Sequence, residues 1–225
     1  MAVIAVFNQK GGVGKTTTTV NLTAGLEQRP IAIDLDPQAH LTLTFDITSV
    51  VGERSISAFF RDDIPLTALL RELPTGVRVI PAHMELAKIE ALQSRSATAA
   101  RKLKAGLEES LGQEGAPVLI DCCPTLGVLS LNALLAADRA LVPVSADFLS
   151  MQSVNKLDLA LKALEGPLNR KIEKRIVLTR FDARRKLSFE IYDKLKQRYG
   201  EQLCETWVVE NVALAASPTE AKGRL

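Results

Sequence analysis

A chain of 225 residues, 47% of them hydrophobic, can bury one α/β core without disulfide or metal staples. Its 28 Lys and Arg against 26 Asp and Glu leave a net charge of +2, too small to imply nucleic-acid binding by itself. Three cysteines form neither a disulfide framework nor a zinc pattern, and no apolar run is long enough to span a bilayer, which excludes a disulfide scaffold and an integral membrane protein and fits a reduced, cytoplasmic setting.

The first predicted element is the buried strand 3–7, followed at once by Gln9-Lys10-Gly11-Gly12-Val13-Gly14-Lys15-Thr16-Thr17-Thr18 and a helix over 15–28 with Val20, Leu22 and Leu26 on its apolar positions. Strand, glycine-rich loop and helix in this order make a phosphate-binding loop. Without Cβ atoms, Gly11, Gly12 and Gly14 let the backbone N–H groups of the loop, Val13 included, converge on phosphate oxygens at the positive end of the helix. Lys15 then meets the β- and γ-phosphates of a nucleotide, Thr16 offers its hydroxyl to Mg²⁺, and Thr17 extends the first turn. The match to G-x-x-x-x-G-K-[ST] is incomplete, because Gln9 stands at the first glycine, and a second lysine, Lys10, precedes the glycines.

Further along, strands are expected at 31–35, 77–80, 117–121, 139–144 and 175–179, with helices near 97–111, 127–137, 150–165 and 187–199. This alternation predicts an α/β fold, a mostly parallel twisted sheet with helices on both faces, over a single domain spanning 1–225. Apolar strands that end in aspartate place charge at the carboxyl edge of such a sheet, where open α/β folds bind ligands. Asp121 is thus expected to hold Mg²⁺ through water; its alternative is to cap the next turn. Asp34, which alternates inward, is the lesser candidate beside Asp36. The residue after Asp121 is Cys122 rather than glutamate, so no general base of the faster ATPases is visible and slow hydrolysis is expected. Cys122 and Cys123 read as packing residues, and Cys204 as part of a late strand. The region 46–76, with Phe45 just before it and Phe59 and Phe60 near acidic Asp62 and Asp63, reads as packing, with a contact to a partner protein as the alternative. Thr179-Arg180 ends a strand at the ligand edge, where Arg180 can reach the adenine or a partner subunit.

From Arg170 to Arg198 eleven basic residues face only Glu173, Asp182, Glu190 and Asp193. Charge alone favours a solvated helix face there over a phosphate-tracking surface.

The loop resembles the deviant Walker A motif, K-G-G-x-G-K-[ST], of the ParA/MinD family of P-loop ATPases. Asp34-Leu35-Asp36-Pro37-Gln38 is similar to the D-x-D-P-Q of the ParA branch, and Val118 to Gly127 to the Walker B strand and its switch. The likeness continues through Leu131-Asn132-Ala133-Leu134 and Leu141-Val142-Pro143-Val144 to Asn211-Val212 and Ser217-Pro218. Cys123 departs from the family's Cys-Pro-Pro, which bears on the rigidity of that switch. The resemblance implies the P-loop NTPase fold, ATP and Mg²⁺ as cofactors, Lys10 reaching across a homodimer to the partner's nucleotide, and Asp36 contacting Mg²⁺ waters and aligning the attacking water. It also implies nonspecific DNA binding by the closed dimer through the basic third, for which Arg184, Arg185, Lys186 and Arg198 are the candidates, and release by a ParB-like adaptor that stimulates hydrolysis.

Other members of the family attach to membranes by a C-terminal amphipathic helix. The segment Ala215 to Leu225 contains Pro218 and Gly223 and no bulky apolar face, so DNA is the expected matrix. The first strand opens two residues into the chain, from which no N-terminal helix-turn-helix is expected. A dethiobiotin-synthetase-like ligase remains the alternative from another class; a nitrogenase-like reductase would need cluster cysteines that Cys122 and Cys123, inside the switch strand, do not supply.

Overall fold

The computed structural model describes residues 1–93, 98–113, 115–168 and 171–211, and of 148–153 and 167–168 the backbone alone. Arg170, Val212, Ser217-Pro218 and the segment 215–225 lie outside the described residues.

Seven strands form one sheet: β1 (Val3–Val6), β2 (Ile31–Leu35), β3 (Arg71–Glu72), β4 (Arg78–Ile80), β5 (Val118–Cys122), β6 (Arg139–Ser145) and β7 (Glu173–Thr179), in the order β3-β4-β2-β5-β1-β6-β7. All pairings are parallel except β3 with β4. The six expected strands are all present. β3 was not expected, and it has only two residues.

Strands β2 and β5 read as unbroken apolar runs ending in polar groups because every residue of each is buried. Alternate positions serve opposite faces. Ile31, Ile33 and Leu35 join a large cluster with Phe60, Leu103, Leu129 and Leu134, whereas Ala32 and Val79 meet Val20, Leu41 and Phe45 on the other side. The helices of the described residues are α1 (Lys15–Gly25), α2 (His40–Thr44), α3 (Ile56–Asp62), α4 (Leu66–Leu69), α5 (Leu86–Gln93), α6 (Lys102–Ser110), α7 (Val128–Ala136), α8 (Phe148–Leu168) and α9 (Lys186–Tyr199). None of them is long and apolar enough to cross a membrane.

Helix α1 stops at Gly25, short of the expected 28, and its last turn closes with Leu26 N–H on the Leu22 carbonyl at 3.1 Å. Cys204 is not in a strand. The run 203–210 follows β7 and the residues after it through two isolated parallel bridges, Ile176 with Leu203 and Phe181 with Val209, and hydrogen bonds from Cys204 N–H to the Ile176 carbonyl and from Val208 N–H to the Leu178 carbonyl, so it edges the sheet without becoming a regular strand.

Phe59 and Phe60 are buried and meet edge to face with centroids 5.1 Å apart, which settles them as packing. Phe60→Ala is expected to cost about 3–5 kcal/mol, read as a lowered denaturant midpoint with an unchanged slope.

Candidate active site

The carboxyl ends of β1, β2, β5, β6 and β7 meet around the glycine loop. Gly14, left-handed at φ 87°, is the N-cap of α1 and supplies no capping side chain, so the first-turn N–H groups are left for a ligand. Gly12 is also left-handed, at φ 71°, and Gly11 and Gly12 have nothing within 4 Å of where a Cβ would stand. These bare backbones fit the close approach of a phosphate. Behind the loop, Thr179 at the end of β7 donates its hydroxyl to the Val13 carbonyl at 2.8 Å, and its side chain lies against Gly14.

Lys15 is buried, and its ammonium donates to the Lys10 carbonyl at 3.2 Å, bridging the loop. Burial lowers its pKa, while the carboxylates of Asp121 and Asp36 oppose that shift. Thr16 donates its hydroxyl to Asp121 Oδ2 at 2.7 Å. Asp121 in turn sits in register with Val6 on one side and Asp34 on the other. Burial and then the charge of Asp34 raise the Asp121 pKa well above the usual carboxylate range, against the Thr16 hydrogen bond and Lys15.

The two aspartates of the 34–36 segment separate cleanly. Asp34 is fully buried and accepts from Thr42 N–H at 2.9 Å, Thr42 Oγ1 at 2.6 Å and Asp36 N–H at 3.1 Å. Burial raises its pKa to about 6, against those hydrogen bonds. Asp36 lies one turn out, half-buried, and its carboxylate accepts from Gln38 N–H at 2.9 Å. Asp34 is therefore the brace of the turn, and Asp36 faces the loop.

Lys10 is held on its own subunit. Its ammonium is 2.6 and 2.7 Å from the two oxygens of Asp147, whose carboxylate also receives the Ser145 hydroxyl, and its N–H donates to Asn8 Oδ1 at 3.0 Å. Asn8 is itself anchored on the Pro143 carbonyl at 2.7 Å. Neither Asn8 nor Asp147 stood out in the sequence, since the pairs they make span 135 and 137 residues.

The carboxylates of Asp121 and Asp36 beside one buried ammonium offer oxygen ligands suited to a hard divalent cation. Among the described residues no group of three or more His, Cys, Asp or Glu could hold a metal alone. That fits Mg²⁺, which keeps waters and shares its shell with phosphates. Thr16 and, through water, Asp121 and Asp36 are the groups that would hold it, and it would supply positive charge to offset that of the phosphates.

The remaining predicted residues lie apart from this centre. Thr17 is exposed, and its carbonyl accepts from the Asn21 amide at 2.8 Å. Arg180 is left-handed at φ 52°, and its guanidinium reaches Glu210 at 2.8 and 3.1 Å. Arg184 and Arg185 both engage Asp182, at 2.9 and 3.3 Å, and Lys186 approaches Glu190 at 3.8 Å. Arg198 stacks over the Tyr199 ring at 5.4 Å. Because α9 runs back against the direction of β7, Arg184 to Lys186 stand at the ligand edge, and Arg198 is about 18 Å further along the helix. The four candidates thus form two groups rather than one patch.

This sheet order, with a glycine loop between β1 and α1 and an aspartate ending β5, defines a P-loop nucleotide-binding protein. The family described as "AAA domain" matches residues 1–174. The chromosome partitioning protein ParA of Caulobacter vibrioides is 32% identical over 99% of this chain and 85% of its own. The sporulation initiation inhibitor protein Soj of Bacillus subtilis is 31% identical over 98% of this chain and 88% of its own. Cobyrinic acid a,c-diamide synthase from Mycobacterium smegmatis, solved with an ATP analog and magnesium, superposes with a TM-score of 0.84 at 28% identity, covering 97% of this chain and 92% of that one. The chain belongs to the ParA/MinD family of P-loop ATPases. The ligands expected from the loop, ATP and Mg²⁺, match those of the solved relative.

Proposed function

We propose that this chain is a ParA-type, Mg²⁺-dependent ATPase that partitions DNA or positions another intracellular cargo. ATP closes two copies into a sandwich in which Lys10 leaves Asp147 for the partner's nucleotide. The closed dimer binds nucleoid DNA without reading its sequence, through Arg184, Arg185 and Lys186 at the nucleotide edge, with Arg198 as a second contact. An adaptor bound to the cargo stimulates hydrolysis, with Asp36 aligning the attacking water, and the dimer falls apart. Nucleotide thereby selects one of two states.

The observation that carries this reading is the pair of lysines on one glycine loop: Lys15 is buried against the loop, and Lys10 is half-buried on an ion pair it can exchange. The 32% identity, over nearly the full chain, to a chromosome partitioning protein supports the cargo class. The solved relative named as a diamide synthase keeps amide formation on an acid substrate as the second reading.

The test is binding to a random-sequence duplex with no nucleotide, ADP, ATP and a nonhydrolysable ATP analogue, across a salt series. Binding is expected only with ATP or the analogue, falling by about a thousandfold or more between 50 and 200 mM salt if six or more phosphates are engaged. Absence of DNA binding in every state at low salt would return the basic third to a solvated face and bring the ligase reading forward.

A further inference from the structure

Helix α7 begins directly after the loop that follows Asp121, and its start is capped by no side chain of its own N-cap residue, Gly127. The cap comes from α5 instead. Glu90 accepts the N–H of Val128 on Oε1 and that of Leu129 on Oε2, each at 3.0 Å. A carboxylate bridging the first two helical N–H groups satisfies two otherwise orphaned donors and complements the positive helix end. Gly127 supports the same reading independently. Its φ of −130° is open to any residue, yet a Cβ there would come within 1.4 Å of Glu90 Oε1. Glycine at 127 thus leaves the space in which the Glu90 carboxylate stands; any side chain there would displace it.

The loop 123–127 is closed on itself at its far end. Ser130 accepts Gly127 N–H at 3.0 Å and donates to the Thr125 carbonyl at 2.6 Å, and the Cys123 thiol lies 3.4 Å from the Thr125 hydroxyl. At its near end the loop leaves β5 two residues after Asp121, whose Oδ2 accepts the Thr16 hydroxyl at 2.7 Å. The loop therefore borders the phosphate end of the site, and Glu90 fixes the helix from which it hangs.

We propose that Glu90 is a positioning residue for ATP hydrolysis, holding the start of α7 so that the loop 123–127 keeps its place beside the phosphates. It deepens the ATPase reading and rests on it. Removing the carboxylate loosens the loop and leaves Lys15, Thr16 and the glycines untouched, so turnover suffers and nucleotide affinity does not.

The experiment compares Glu90→Ala, Glu90→Gln and Ser55→Ala. Ser55 caps α3, its hydroxyl accepting Ser57 N–H at 3.2 Å, and so serves as a cap lost away from the site. Glu90→Ala is expected to lower kcat about tenfold with KM for ATP within twofold, and to speed amide hydrogen exchange in 123–131. Glu90→Gln, which keeps one acceptor, is expected to fall between Glu90→Ala and the unmodified chain, and Ser55→Ala to leave kcat unchanged. Wild-type turnover in Glu90→Ala, or an equal loss in Ser55→Ala, would overturn the proposal. An unmodified chain that binds no Mg·ATP would instead remove the ATPase reading beneath it.

Discussion

Lys15→Ala is expected to lower affinity for Mg·ATP at least about 100-fold, close to 2.8 kcal/mol, and to abolish DNA binding in every nucleotide state. The side chain is 8% exposed and holds its ammonium under the loop. Its loss takes the cation away from the carboxylates of Asp121 and Asp36, which then face incoming phosphates without it. Like charges in a partly desolvated site repel more strongly than they would in water. Calorimetric titration of ATP in excess Mg²⁺ checks the first part, and the duplex assay the second. Binding within a few-fold of the unmodified chain would show that the glycine loop and helix N-terminus suffice, and would remove Lys15 from the phosphate site.

Asp36→Ala is expected to reduce turnover by about two orders of magnitude, the lower end of what a positioned base or water-aligning group contributes, while an ATP-bound, DNA-competent dimer persists. The contrast with Asp34→Ala makes the test specific. Asp34 holds Thr42 N–H, Thr42 Oγ1 and Asp36 N–H, and each buried donor left without a partner costs about 1–3 kcal/mol. Asp34→Ala should therefore appear first as a lowered unfolding midpoint, and Asp36→Ala as lost phosphate release in a folded protein. Loss of DNA binding together with turnover in Asp36→Ala would contradict the role proposed for Asp36.

The regular parts of this fold were legible because they obey simple periods. Strands 31–35 and 118–122 are buried throughout and read as apolar runs ending at charge, and α1 follows its glycines. The helices between 40 and 93 were opaque for a physical reason: α2, α3, α4 and α5 have five, seven, four and eight residues, too few turns for a 3.6-residue period to emerge. One starts from Ala39 in the left-handed region and another after Pro65, so two lack a side-chain cap as well. At the site, the lysines and Asp121 announce their chemistry by type and spacing. Asn8, Glu90, Asp147 and Thr179 do not, because each acts on a loop far along the chain, and only the folded sheet brings them there. The basic third shows the opposite limit. Composition registers an excess of charge, but the carboxylates that engage Arg180, Arg184, Arg185 and Lys186 become visible only with the side chains in place.

The borders of the sheet bear on how two copies can meet. On one side the last strand is β3, two residues long and antiparallel; on the other, among the described residues, the irregular run 203–210 already covers the end of β7, with Cys204 N–H on the Ile176 carbonyl and Val208 N–H on the Leu178 carbonyl, each at 2.8 Å. Neither border offers the long, flat row of unpaired amides on which another chain could continue the ladder. Self-association by sheet extension is therefore disfavoured from both sides. The dimer proposed above would then meet through the loops that crown the strands, a seam that can open and shut without unzipping a single backbone ladder.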